Sequence, residues 1–276
     1  MPAKKQQDDY FSDSLERGLR ILQAFDRITP RLRASALASK VGIPRSAARR
    51  FLLTLRDLGY VGVDGDYFFL LPRVLDLGHG YLASNNIDLM IQPLLHALAQ
   101  ETQESASLAV LDRSEVLVVA RATYRYIDLE VGPGTRMPAY ATALGQVLLA
   151  ALPPDKLDSY LAGARFVAHT ERTIRSGAAL RTRLTRVART DVAIVRGELV
   201  GDLHAIAIPV RDAGGMVVAA LNVSTHGNRL RRPLDLAGAL ELLHRTRMQI
   251  EAGLRAMSHI SLGSPFQVAA RPGSGR

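Results

Sequence analysis

The stretch from Gly42 to Tyr60, GIPRSAARRFLLTLRDLGY, leaves this part of the chain little conformational choice. Ala47, Ala48, Phe51, Leu52, Leu55 and Leu58 recur at the spacing of one helical face. Pro44 falls in a first turn, where its missing N–H is no loss, and Gly59 falls where a helix stops. The spacing predicts an amphipathic helix from Pro44 to Leu58. Its opposite face carries Arg45, Ser46, Arg49, Arg50 and Arg56, the first four in the N-terminal two turns.

The flanking sequence narrows the reading. Asp13 and Glu16 have capping-box spacing, with the structured chain beginning at Ser12 or Asp13, and Leu15, Leu19, Leu22, Ile21 and Phe25 follow with helical period, which predicts a first helix over 14–26. A short second helix takes Ser35 as its N-cap, sets Ala36, Leu37, Ala38 and Val41 on one face, and ends at Gly42. After Gly59, the β-prone runs 60–63 and 67–70 surround the turn Asp64-Gly65-Asp66, a hairpin signal. Three helices followed by a hairpin make a winged helix-turn-helix, whose third helix reads base edges while its arginines clamp phosphates. Pro44, Arg45, Ser46, Ala47, Arg49 and Arg50 are the candidate DNA contacts. Arg31, Arg33, Ser35 and Lys40 are candidates for the backbone, and the acidic hairpin tip is expected to contribute little beside phosphate.

Beyond residue 73 the pattern is α+β. Helical spacing over 74–99 breaks at Ser84-Asn85-Asn86 and near Pro93. Strand-like runs follow at 105–120, with a turn at Asp112-Arg113-Ser114, and at 126–131. Helices are expected at 139–149, 155–161, 177–190 and 234–256, and strands at 192–195, 205–210 and 217–223. Hairpins flanked by helices argue for an antiparallel sheet. The chain's 276 residues fit two unequal domains, and its formal charge of +9 suits an anionic partner, although a GC-rich genome also supplies arginine. The chain has no cysteine, no run of about 18 apolar residues and no signal-peptide core, so a soluble cytoplasmic protein is expected.

The run Ser14-Leu15-Glu16-Arg17-Gly18-Leu19, continuing through the helix-turn-helix to Leu75-Asp76-Leu77-Gly78, resembles the IclR family of bacterial transcription regulators. So do the block from Met137 to Ala150 and the run from Gly197-Glu198-Leu199 through 205–210 to Ala219-Ala220-Leu221-Asn222-Val223-Ser224. Within the family, the Pro138-to-Thr142 run and the ending Asn222 to Gly227 look most like the regulators of protocatechuate, 4-hydroxybenzoate and β-ketoadipate catabolism. The expected organisation is a winged helix-turn-helix over 12–73, a linker helix over 74–90, an effector-binding domain with an antiparallel sheet over 91–258, which the resemblance makes GAF-like, and a flexible tail over 259–276, where Gly, Ser and Pro replace any apolar period. The resemblance also implies double-stranded operator DNA, a small carboxylate effector, no cofactor, and dimers, often tetramers.

A small organic acid needs backbone N–H groups at a helix start, a hydroxyl or amide, and an arginine. The run Tyr140 to Gly145 offers such a start, with Thr142 as cap and Ala143, Leu144 and Gly145 beside it, the small ones letting a ligand approach. Asn222 and Ser224 share one face of a strand. Arg121 and Arg136 are candidate carboxylate partners, Tyr126 or Tyr140 a candidate wall, and Glu198 and His204 flank the strand leading to the pocket. Two rival classes remain on the sequence. An enzyme finds no histidine pair at metal-ligand spacing, no Gly-x-Ser-x-Gly elbow and no phosphate loop. An adaptor would use the basic helix for an acidic protein.

Overall fold

The computed structural model describes residues 11–124, 131–226, 236–256 and 262. The chain divides into two units, 1–81 and 82–276. In the first, α1 (Asp13–Gln23) is capped by Ser12, whose side chain accepts from the N–H of Leu15. It ends at Gln23, short of the expected 26; beyond it the Asp26 carboxylate accepts from Lys40, at 2.5 Å, and from the Thr29 N–H and hydroxyl. Those donors hold Asp26 well below the usual carboxylate range. A strand absent from the sequence reading, β1 (Arg31–Arg33), leads into α2 (Ala34–Val41). Ser35 is not the N-cap. Arg33 takes that position in extended backbone, and Ser35 lies inside the first turn. Gly42 closes the helix at φ 73°, the left-handed conformation a side chain would resist.

Pro44 occupies the N-cap position of α3 (Arg45–Asp57), and β2 (Val61–Asp64) pairs antiparallel with β3 (Tyr67–Leu70) in the register Val61 to Leu70. β1 adds to the far side of β3, opposite Phe69, Phe68 and Tyr67. Ile21, Leu37, Ala48, Leu52, Val61 and Phe68 form the buried centre of this unit. Each large apolar side chain there contributes about 1.5–3 kcal/mol on burial. Gly62 lets Phe69 lie across the strand, since a Cβ there would sit 2.5 Å from its ring.

The helical stretch expected over 74–90 is not continuous. A 3-10 turn, Pro72–Val74, precedes α4 (Leu75–Ser84); Asn86 then turns left-handed at φ 49°, and a π turn, Ile87–Ile91, feeds α5 (Gln92–Thr102). The sheet of the second unit comprises β4 (Ser105–Asp112), β5 (Glu115–Ala122), β6 (Arg136–Pro138), β7 (Ala193–Arg196), β8 (Leu203–Arg211) and β9 (Val217–His226) in the antiparallel order β6-β5-β4-β9-β8-β7. The strand expected at 126–131 falls on 126–130, outside the described residues, and Val131, which is not in a strand. The helix expected from Ala139 begins as a 3-10 turn, Ala139–Ala141, and α6 (Ala143–Ala150) starts only after Thr142. α7 (Pro154–Gly163), α8 (Gly177–Thr190) and α9 (Leu236–Ala256) complete the fold. α6 lies on one face of the sheet with α8 packed against it, and α5 and α9 pack together over the other. Covered on both faces, β8 is buried at six consecutive positions.

Candidate functional site

α3 packs its apolar side on α1 and α2 and turns Pro44, Arg45, Ser46, Arg49 and Arg50 to solvent, with Ala47 half-buried between them. Neighbouring cations are matched within the fold: Arg31 with Asp64 at 2.7 Å, Lys40 with Asp26, and Arg56 with Asp57 at 2.7 Å. Arg45, Arg49 and Arg50 pair with no carboxylate among the described residues. Within this unit, three unmatched cations thus cluster on the first two turns of α3. Arg33 is exposed and lies over the Tyr67 ring at 4.9 Å, and Ser35 is exposed beside it. Arg31 answers the wing's Asp64, so among the described residues Asp66 is the tip carboxylate with no such counter-charge.

The second unit holds a pocket on one face of its sheet. Its floor is the sheet. Arg121, Ser107 and Asn222 lie directly opposite one another on β5, β4 and β9, and Ser224 stands one step along on the same face. The first turn of α6, with Thr142, Ala143 and Leu144, forms one wall, and Val131, Met137, Val195, Leu199, Leu203 and Ala205 supply apolar surface. Thr142 caps α6, its hydroxyl accepting from the Gly145 N–H at 3.0 Å.

Arg121 donates from Nη1 to Ser107 Oγ at 2.8 Å and meets no carboxylate among the described residues. Burial lowers its pKa, but a guanidinium keeps its proton, so the charge stays. Its Nε, the Asn222 Oδ1 and the Ser105 Oγ are buried without a hydrogen-bond partner. Ser105 faces Ser224 across the strands. Buried polar atoms are normally paired. Two of these atoms, Arg121 Nε and Asn222 Oδ1, belong to side chains that line the pocket, leaving one donor and one acceptor there open to a polar ligand.

Several sequence-derived candidates stand elsewhere. Arg136 is half-exposed and pairs with Asp112 and with Glu115 at 3.6 Å, fastening β6 to the β4–β5 turn. Tyr140 is buried behind the pocket, its hydroxyl donating to the Val167 carbonyl at 2.9 Å and 3.0 Å from His169 Nε2. Gly145 is small for another reason than ligand approach: a Cβ would meet the Ala139 carbonyl oxygen at 2.2 Å. Glu198 is 4% exposed and accepts from Gln146 Nε2 and Arg183 Nη1, each at 3.0 Å. Burial pushes its carboxyl above the usual range, against the pull of Arg183 and Gln146. His204 is not among the lining residues; burial lowers its pKa, and Arg196 and Arg172 lower it further. Tyr126 lies outside the described residues. The reading missed Ser107, although Ser105 and Ser107 interrupt an apolar strand at the same period two that singles out Asn222 and Ser224.

A winged helix carrying unmatched arginines, in one chain with a domain that holds a polar small-molecule pocket, defines a ligand-responsive DNA-binding regulator. The profile described as "Bacterial transcriptional regulator IclR C-terminal" matches residues 79–252, and the "IclR helix-turn-helix domain" matches 14–65. The chain belongs to the IclR family of bacterial transcriptional regulators. It is 38% identical to the Pca regulon regulatory protein of Pseudomonas putida, covering 88% of each chain. It is 36% identical to the p-hydroxybenzoate hydroxylase transcriptional activator of Acinetobacter baylyi, over 87% of this chain and 90% of that one. An IclR homologue of Microbacterium hydrocarbonoxydans, solved in complex with 4-hydroxybenzoate, is 25% identical with a TM-score of 0.76 over 88% of this chain and 99% of that one.

Proposed function

We propose that this regulator controls aromatic-acid catabolism by binding a small hydroxylated aromatic acid in the sheet-floored pocket and operator DNA through α3. The observation that carries the reading is the in-register row Arg121, Ser107 and Asn222, with its unmatched cation at one end and an orphaned amide oxygen at the other. Arg121 takes the carboxylate, aided by the N–H groups of the α6 first turn. Asn222 Oδ1 accepts from the ring hydroxyl, and the apolar wall between them holds the ring. The relatives that act on the Pca regulon and on p-hydroxybenzoate hydroxylase, and the 4-hydroxybenzoate complex, support that class of acid.

Thr142 and Ser224 border the ligand. Tyr140, Gly145, Gln146 and Glu198 hold the 3-10 turn and α6 in place behind it. On the DNA side, Arg45, Ser46, Arg49 and Arg50 meet base edges and phosphates, while Arg33 and Ser35 meet the backbone. The protein is a regulator and not an enzyme. It works as a homo-oligomer, since α4 buries none of its residues and leaves Leu75 and Leu77 exposed, as α1 leaves Leu15 and Leu19. Those apolar surfaces suit a second copy.

Calorimetric titration with protocatechuate, 4-hydroxybenzoate and β-ketoadipate tests the pocket. One hydroxylated ring acid should bind at micromolar concentration to wild type and more than about tenfold more weakly to Asn222→Ala, the loss expected from an unpaired polar contact. Tight binding of β-ketoadipate alone, which has no ring, would discard the aromatic assignment.

A further inference from the structure

The DNA-reading unit does not hold most of the net charge. Residues 165–196 contain eight arginines against two carboxylates, Glu171 and Asp191, a net +6 of the chain's +9. Arg181 and Arg183 are paired, with Asp158 and Glu198. Arg165, Arg172, Arg175, Arg186, Arg189 and Arg196 are all exposed and meet no carboxylate among the described residues.

The fold gathers these cations at one edge of the sheet. β7 is the edge strand, and Ile194 and Arg196 are its exposed positions. α8 lies beside it, Arg183 Nη1 reaching the Ile194 carbonyl at 3.5 Å. The segment before α8 is strapped to the turn after β7, Thr170 Oγ1 donating to the Gly197 carbonyl and Thr173 Oγ1 to that of Glu198, each at 2.6 Å. This strap sets Arg172 near Arg196, and both act on His204, which faces Arg196 across the strands. Along the solvent face of α8, Arg186 and Arg189 continue the patch among Thr182 and Thr185, whose hydroxyls bond back to the helix.

The composition of the face selects the partner. A protein interface is centred on buried aromatic or aliphatic anchors. Within residues 165–196, Val167 and Ile194 are the large apolar side chains exposed, and α8 presents none. A phosphate backbone needs no such anchor, because charge and the paired N–H donors of arginine suffice. We propose that the α8 and β7 face of the effector domain is a second DNA surface, one that grips duplex phosphates without reading sequence, outside the segment read by α3.

The test uses the full chain and two duplexes from its own upstream region: the whole intergenic fragment, and the minimal segment that footprinting assigns to the winged helix. Affinity is measured across salt for wild type and for Arg175→Ala/Arg186→Ala/Arg189→Ala/Arg196→Ala. On the long duplex, the slope of log K against log salt should fall by about 3.6, at roughly 0.9 for each of four phosphate contacts, and affinity near 0.1 M salt should drop at least about tenfold. On the minimal segment both proteins should bind alike, which keeps the reading of α3 separate. The corresponding quadruple lysine variant should retain most of the slope, as charge requires. Equal slopes on the long duplex, or an equal defect on both duplexes, would overturn the proposal. Unchanged slopes with lost transcription would replace it with an acidic protein partner.

Discussion

Arg121 sits on a strand whose neighbouring residues are mostly apolar, and among the described residues its side chain donates to Ser107 alone. Desolvating an unmatched cation does not stabilise a fold. Arg121→Gln is therefore expected to unfold within about 0.5 kcal/mol of wild type, yet to lose hydroxybenzoate binding by calorimetry. A strongly destabilised variant that still binds would make the arginine structural. Gly145 gives the opposite expectation: the backbone of Ala139 has nowhere to retreat from a Cβ, so Gly145→Ala should cost about 3 kcal/mol in denaturant unfolding. Glu198 carries a pH signature. Because its folded pKa is raised, the native state keeps a proton that the unfolded chain releases. Its contribution to stability is full below the ordinary glutamate pKa and declines as pH rises toward the folded value. Glu198→Gln, which preserves the size and one acceptor for Gln146 or Arg183, should remove that decline when unfolding is followed from pH 4 upward. An unaltered pH profile would mean the carboxyl titrates normally.

At the scale of elements, α3 was legible because two signals agree, a clean apolar stripe and punctuation by Pro44 and Gly59, and Arg45, Arg49 and Arg50 in its first turns meet no carboxylate among the described residues. Arg49→Ala/Arg50→Ala should abolish operator binding in a mobility assay while leaving thermal unfolding unchanged, since substitutions at such exposed positions rarely exceed about 0.5 kcal/mol. The Thr142 cap and the shared face of Asn222 and Ser224 were legible for the same reason, being local in sequence. What stayed hidden depends on distant chain. β1 is three residues long and exists by pairing with β3, Ser35 lost the cap to Arg33 once that strand formed, and Tyr140 and Arg136 were drawn from the pocket by Val167, His169, Asp112 and Glu115. No periodicity in one segment announces such partners.

For the whole molecule, a ligand moves DNA affinity only if it binds one arrangement of the protein better than another. In the proposed homo-oligomer the arrangement that matters is the spacing of two recognition helices, which must match two half-sites. Leu75→Glu/Leu77→Glu, at positions 73% and 54% exposed in the single chain, should reduce the mass found by analytical ultracentrifugation and weaken operator binding at least about tenfold, as loss of bivalency requires. An unchanged mass would remove α4 from the interface. Coupling between the pocket and the DNA-reading helix is tested most directly by titrating the upstream intergenic duplex with and without 4-hydroxybenzoate or protocatechuate, using wild type and Arg121→Gln in parallel. One of these acids should change the wild-type affinity severalfold while the variant binds DNA equally well and ignores the acid. A wild-type affinity indifferent to both acids, or a variant that responds as wild type does, would contradict it.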